Sequence, residues 1–260
     1  MNKFPVSPKK AAIILCATAA VLAAASLIGQ HYKINGGDDL FLLKIADKFD
    51  LDQEKNNLPT WFQSSTLLLS ALLLAVVGYV RREFRDADAR FWGLLAGIFC
   101  YLSLDESVAI HEQVSVPLRE AFHLHGLFFF SWIIPAAIAV FILFSLLFKF
   151  LRRLPANVRR AFIFAGIVYV GGALGMEMLG ANYYEARIEP FGSAIDFNYA
   201  LLTTFEELLE MTGVAVFISA LLSHLSSEAL YVPVVMTEEN SAESRAEILS
   251  FGKSVASAGK

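Results

Sequence analysis

Seven carboxylic acids, Asp105, Glu106, Glu112, Glu177, Glu206, Glu207 and Glu210, stand in or at the ends of strongly apolar stretches of this chain, and no Lys or Arg shares those stretches. An ionised acid near the centre of a bilayer costs about 2.5–3.5 kcal/mol on the insertion scale. A set without basic partners must therefore shed its charge by protonation or be neutralised by cations. Oxygen-rich ligands suit Ca²⁺, Mg²⁺ or Mn²⁺, and carboxylates joined by histidine suit Zn²⁺ or a pair of iron or manganese ions. His111 lies beside the first acids, and His123 and His125 follow shortly after. The expectation is a divalent-metal site, zinc, iron or manganese, built from Asp105, Glu112, Glu177, Glu206 and Glu210 with His111 assisting, and Glu207 behind them as a general base. Metal-activated water attacking a lipid-borne ester or amide, or di-metal redox chemistry, would fit such a place. Two other readings compete. Neutral carboxyls can tie helices together in a structural or accessory subunit of a membrane complex, or the acids can pass protons or cations. Glu112, His123 and His125 also have an interfacial reading, and Glu106 a structural one.

The elements that carry these residues are helices. Of the 260 residues 56% are apolar and 18% charged, with a mean hydropathy of +0.55. Soluble domains run near 45–50% and 25%, so the balance belongs to the membrane class and excludes disordered, collagenous and disulfide-rich chains. A crossing needs about 20 mostly apolar residues. Six stretches qualify, at residues 11–29, 61–80, 91–110, 127–150, 161–181 and 199–222. Lys9 and Lys10 before the first could mark a signal peptide, yet its apolar run exceeds the usual signal core of about 7–15 residues, so a true span is expected. Of the 21 Lys and Arg, 15 fall on one side of this topology, and the short loops RREFRDADAR and KFLRRLPANVRR carry the contrast. By the positive-inside rule both termini are cytoplasmic, in a bacterial-type inner membrane. The expected fold is thus an all-α integral membrane protein, a six-helix bundle over residues 1–225 with an outer loop at 30–60 and a polar, mobile cytoplasmic tail at 226–260.

Depth and phase then bring the acids together. From the start of its span Asp105 rises about 21 Å and Glu177 about 24 Å, while Glu206, Glu207 and Glu210 lie about 9–15 Å below the outer face. All seven occupy the outer half of the membrane. Around the last span Glu206, Glu210, Thr203 and Gly213 fall within about 80° of arc, and Asp105 and Glu112 fall within about 20° if one helix carries both. Gly171, Gly172, Gly175 and Gly180 around Glu177 would allow close helix approach.

The rest adds less. Asp50, Asp52 and Glu54 alternate as in a calcium loop but lack its glycine and distal Glu, so a cap leading through Pro59 and Trp61 into the second span is expected. Trp61, Trp92 and Trp132 are placed at span ends as interfacial aromatics. Cys16 and Cys100 lie in apolar runs and make no disulfide framework. A net charge of -4 without a basic patch excludes nucleic acid as a partner. The bilayer, and other membrane subunits, are the partners expected.

The motifs LSLDESVAIHE, GGALGMEMLG and TFEELLEMTG, over roughly residues 50–225, resemble those of a family of bacterial multi-pass membrane proteins. That resemblance implies the fold and carries no activity. Ser107-x-x-x-His111 is also similar to a fragment of the zinc-dependent membrane amidases of the alkaline ceramidase and adiponectin-receptor type. Where those proteins have His-x-x-x-His, this chain has Glu206-x-x-x-Glu210. Ferritin-like di-iron bundles use two Glu-x-x-His motifs; this chain has one such spacing, Glu120–His123, outside the acidic spans.

Overall fold

The structure, a computed structural model, describes residues 7–51, 57–191 and 196–229. Long apolar runs satisfy their own backbone hydrogen bonds as helices. Nine α-helices follow in order among the described residues: α1 (Pro8–Ile34), α2 (Leu40–Phe49), α3 (Leu58–Glu83), α4 (Ala89–Val108), α5 (Ser115–Phe122), α6 (Ile133–Arg153), α7 (Ala156–Val170), α8 (Glu177–Arg187) and α9 (Phe197–Ala229). A π-helical turn, Gly171–Met176, joins α7 to α8, and 3₁₀ turns occupy His111–Val114 and Gly126–Phe128. Six of these units, with α7 to α8 counted as one, are long and apolar enough to cross a membrane. No strand occurs among the described residues. The all-helical, six-span expectation agrees with this architecture. The third span stops at Val108, short of 110, and the fourth begins at Ile133, after residues expected to be helical from 127. The beginning of the expected tail, 226–229, continues α9; its remainder lies outside the described residues.

Residues 30–60 are more than a loop. Helix α1 runs on to Ile34, and Asp39 caps α2 by accepting from the N–H groups of Phe41 (2.9 Å) and Leu42 (3.0 Å). Asp50 then fastens the end of α2 to α1: it accepts from Gln30 Nε2 at 2.6 Å and from Lys33 Nζ at 2.7 Å. Lys33 also meets Asp47 at 2.6 Å, and Ser26 Oγ accepts from the Leu51 N–H at 3.1 Å. The Asp50 carboxylate is thus taken by protein donors, which removes it from the calcium alternative; Asp52 and Glu54 lie outside the described residues.

Helix α1 packs along α9 through Ala19, Leu22 and Ala23 against Met211, and Ser219 Oγ donates to the Pro8 carbonyl at 3.0 Å. Helices α3 and α4 are joined by a hydroxyl ladder. Ser64 Oγ lies 2.7 Å from Ser107 Oγ and donates to the Ser103 carbonyl at 2.8 Å, while Ser103 Oγ donates to the Ser64 carbonyl at 2.8 Å. Ser107 is therefore helix glue, and the amidase-like Ser107–His111 spacing does not mark two groups acting together.

Toward the end of the bundle that carries the Arg-rich turns, Leu74, Val77, Trp92, Phe150, Phe162 and Leu221 form a closed apolar core. Trp92, expected at an interface, is 1% exposed at its centre, stacked on His224 at 5.2 Å and edge-on to Phe150 at 5.1 Å. Gly78 makes room: a Cβ there would lie 3.3 Å from the Trp92 Cβ. Of the three tryptophans only Trp61 has the exposed position expected of a bilayer-facing ring.

The π turn sets the direction of everything after it. One extra residue in a helix turns the following part back by about 100°. On an uninterrupted helix Glu177 and Ala181 would lie about 120° and 160° from Ala165, which is buried on the packed face; with the insertion they lie about 20° and 60° from it. Ala181 is accordingly fully buried. Glycine permits the arrangement. A Cβ on Gly172 would lie 2.8 Å from the Glu206 carbonyl oxygen and 3.0 Å from Glu210 Cγ, and one on Gly213 would lie 2.8 Å from the Tyr169 nitrogen. Gly171 and Gly175 have nothing within 4 Å, so close approach belongs to Gly172 and not to the whole run of glycines. Gly172→Ala is expected to destabilise the protein by about 1–3 kcal/mol through overpacking, while Gly171→Ala is neutral or slightly stabilising through its helix propensity. Thermal unfolding of the two variants in detergent compares them.

Candidate functional site

A cavity of about 1070 Å³ lies between α4, α6, α9 and the α7–π–α8 unit, on the side of the bundle away from the apolar core. Each of the three acidic spans contributes its acids: Asp105 and Glu106 from α4, Glu177 from the first residue of α8, and Glu206, Glu207 and Glu210 from α9. Glu112 and His111 join from the 3₁₀ turn after α4. All seven acids and one of the three expected histidines thus share one wall system. Glu210 is buried and the others are half-buried.

The turn after α4 is built by Asp105. Its carbonyl accepts from the Ala109 N–H at 2.7 Å, and Ala109 takes a left-handed φ of 51°. Its carboxylate then accepts from the His111 N–H at 2.9 Å and meets His111 Nδ1 at 2.7 Å. The helix therefore ends before Glu112, and the expected shared helical face of Asp105 and Glu112 does not exist. Glu112 reaches the cavity from the following turn, with its Oε1 3.9 Å from His111 Nε2. The His111 ring sits against Trp132 at 4.4 Å, and Trp132 Nε1 donates to Glu177 Oε1 at 3.0 Å. Glu177 in turn meets the Glu206 carboxyl, and Glu210 lies against Tyr169. A chain of contacts runs from Asp105 through His111, Trp132 and Glu177 to Glu206. Two carboxylates in contact at low dielectric require a proton or a cation between them.

Trp132, Tyr169, Gln63, Lys33 and Arg119 complete the surroundings; the sequence gave Trp132 only an interfacial place and the other four no role. Gln63 is fully buried on α3 with its side-chain amide against the Glu210 carboxyl. Lys33 lines the cavity but is engaged by Asp47 and Asp50, and Arg119 donates to the Phe129 carbonyl at 3.3 Å and stacks over that ring at 4.0 Å. Among the described residues no Lys or Arg pairs with Asp105, Glu106, Glu177, Glu206 or Glu210. The spacing signal available beforehand was Tyr169, eight residues before Glu177 on the same span.

His123 and His125 do not join. His123 ends α5 with a left-handed φ of 51°, and His125 Nδ1 meets Glu185 Oε1 at 2.6 Å, outside the cavity lining. The same Glu185 accepts from the Gly126 N–H, so this pair fixes the loop before α6. Within the cavity, among the described residues, no three His, Cys, Asp or Glu side chains converge closely enough to hold a metal ion. The donors surround a space and do not form a cage.

Burial favours the neutral form of His111, and the Asp105 hydrogen bond, with the charges of Asp105, Glu112 and Glu177, outweighs it; the imidazole is held above its ordinary value of 6.5. A group raised on folding contributes its stability below the unfolded value and loses it as pH rises through the folded one. Asp105→Asn is expected to bring the His111 titration down and to remove the loss of thermal stability above pH 6.5 that this pair produces. Histidine-selective NMR titration and unfolding curves across pH 5–9 measure both.

No curated protein and no solved structure matches the chain. Residues 14–225 match the family described as "Domain of unknown function (DUF8692)", and the chain belongs to that family.

Proposed function

We propose that this chain is an inner-membrane metalloprotein whose outward-facing cavity holds a divalent zinc, iron or manganese ion and uses it on a lipid-borne ester or amide. The observation that carries the reading is the meeting of Glu177 and Glu206 carboxyls beside Glu210 and the Asp105-oriented His111, on one cavity wall without a Lys or Arg pairing to them. Holding His111 Nδ1 on a carboxylate leaves Nε2 for the cavity, as in carboxylate–histidine–metal arrangements. Glu177, Glu206 and Glu210 have rotatable side chains that can close on an ion from their present positions, with Asp105 and Glu112 supporting His111. A bound divalent ion would supply Lewis acidity and a nucleophilic water near neutral pH. Glu207, beside Glu206 on α9, takes the proton from the attacking water and returns it to the leaving oxygen or nitrogen as the ester or amide bond breaks. The excess of Lys and Arg on the turns at the opposite end orients the cavity outward and both termini to the cytoplasm.

A second reading has its own observation. Because among the described residues no three donors are within reach of one ion, neutral carboxyls that hold α4, α8 and α9 together in an accessory subunit also account for the contacts. Coupled transport is disfavoured by the apolar core of Leu74, Trp92, Phe150 and Phe162 toward the basic face.

Elemental analysis of protein purified without chelator or histidine tag separates these readings. The metal reading expects close to one ion per chain, a loss of about tenfold or more in Glu206→Ala and Glu210→Ala, and no change in Glu83→Ala on the opposite face. Metal far below one per chain after incubation with zinc, iron and manganese, together with unchanged unfolding temperatures for Glu→Gln variants, would leave the structural reading in its place.

A further inference from the structure

Helix α6 is fastened at both ends and bare between them. Ile133 at its start is 2% exposed, and Leu147 and Phe150 near its end belong to the apolar core. Between these anchors six consecutive residues, 137–142, are all exposed. Six residues exceed the 3.6 of one turn, so no face of that stretch is covered, although a helix within a bundle hides at least one stripe. The stripe that should seal the bundle, carrying Ala136 and Val140, instead lines the cavity together with Val170, Ala173 and Leu174, while α6 also touches the π turn. Those five residues are apolar and lie at the depth of the hydrocarbon, and the same cavity contains Glu177 and His111. A continuous apolar wall therefore runs from the bilayer to the acids.

The size of the space points the same way. A water molecule's share of liquid volume is about 30 Å³, so an ion with six waters needs about 200 Å³. The cavity of about 1070 Å³ is several times larger and has the dimensions of a site for a whole organic ligand. A helix of a second subunit, about 10 Å across, would lie on the outward residues Phe141 and Ile138 and leave the stripe of Ala136 and Val140 unfilled. One hydrocarbon chain is narrow enough to enter beside these residues, and the bilayer supplies it at this depth.

We propose that the part of the cavity lined by Ala136 and Val140 of α6 and by the α7–π unit is a lateral portal that seats one acyl chain of a membrane lipid, with the lipid's ester or amide linkage at the Glu177–His111 end of the cavity. The placement of the linkage rests on the metal reading above; the seat of the chain does not. Ala173 and Val140 are then specificity-determining positions, since added bulk at either closes the portal.

Native mass spectrometry of the detergent-purified, delipidated protein, re-exposed to phosphatidylethanolamine and phosphatidylglycerol vesicles, tests the seat. The expected result is one tightly retained lipid per chain. Ala173→Trp and Val140→Trp should lower that retention by about fivefold or more, while Phe141→Trp, on the outward face of α6, leaves it unchanged. Ala173→Leu serves if a Trp variant shows a lowered unfolding temperature. Crosslinking from a phospholipid with a diazirine in its acyl chain should map to residues 133–143 and 170–174 and fall in the same two variants. Retention indifferent to Ala173 and Val140, or a dimer without lipid, overturns the portal. Glu206→Ala keeps the two readings distinct. Lipid retained by this variant after it has lost metal supports the portal and leaves the metal reading standing; lipid retained by a wild-type chain that binds no metal supports the portal and removes the metal reading, whereas metal held by a wild-type chain that retains no lipid overturns the portal alone.

Discussion

Placing seven carboxyl groups at the depth of a membrane imposes a constraint that the rest of this bundle obeys. Acids there need one another, a cation, a proton or water, because hydrocarbon gives none of these. Those acids line one cavity of about 1070 Å³. The helices around it are held by close approach and by packing beyond it. Gly172 brings the π turn, and Gly213 brings α7, against α9; the serine ladder joins α3 to α4, and the apolar core closes the basic end. Close packing by small residues and interhelical hydroxyl bonds replace the hydrophobic drive that the bilayer removes.

The two halves of the molecule divide the work along α9. Its first turns present Glu206, Glu207 and Glu210 to the cavity; its later turns bury Phe217 and Leu221 among Trp92, Phe150 and Phe162. Close packing around large rings holds that half rigid. The opposite half can then keep an opening beside α6 without loss of the bundle, since α6 is anchored in the core by Leu147 and Phe150. A rigid base under a partly open polar chamber suits ligand binding from one face, and it is the reverse of what alternating access requires.

Much of this was legible in the sequence because membrane helices are governed by length and hydropathy, which are local properties. The six spans and the common level of the acids follow from a rise of about 1.5 Å per residue. Phase was legible only where the helix is regular, as on α9, where Thr203, Glu206, Glu207 and Glu210 do reach one cavity. It failed where the backbone departs from 3.6 residues per turn. The π turn rotates Glu177 by an amount that no count of residues contains, and the left-handed Ala109 ends α4 before Glu112. Trp92 was misplaced for a different reason. Interfacial preference describes a tryptophan with no better partner, and Trp92 has one in the Phe150 and His224 rings. The clamp of Asp50 by Gln30 and Lys33 joins positions 20 and 17 residues apart through the geometry of α2, which hydropathy does not encode.

The Asp105–His111 pair decides what the cavity can do next. Asp105 binds both the backbone N–H and Nδ1 of His111, so the ring is held against rotation as well as in tautomer. Its remaining nitrogen has a single lone pair when neutral, and that lone pair serves either a metal ion or the proton of a nucleophile, not both at once. With Glu177 and Glu206 already in contact across α8 and α9, an ion seated between them needs a neutral donor more than another anion, because each added carboxylate deepens the net negative charge of the site. In the proposed metal reading His111 would be that donor, and the proton transfer would fall to a carboxylate outside the ligand set, Glu207 on α9.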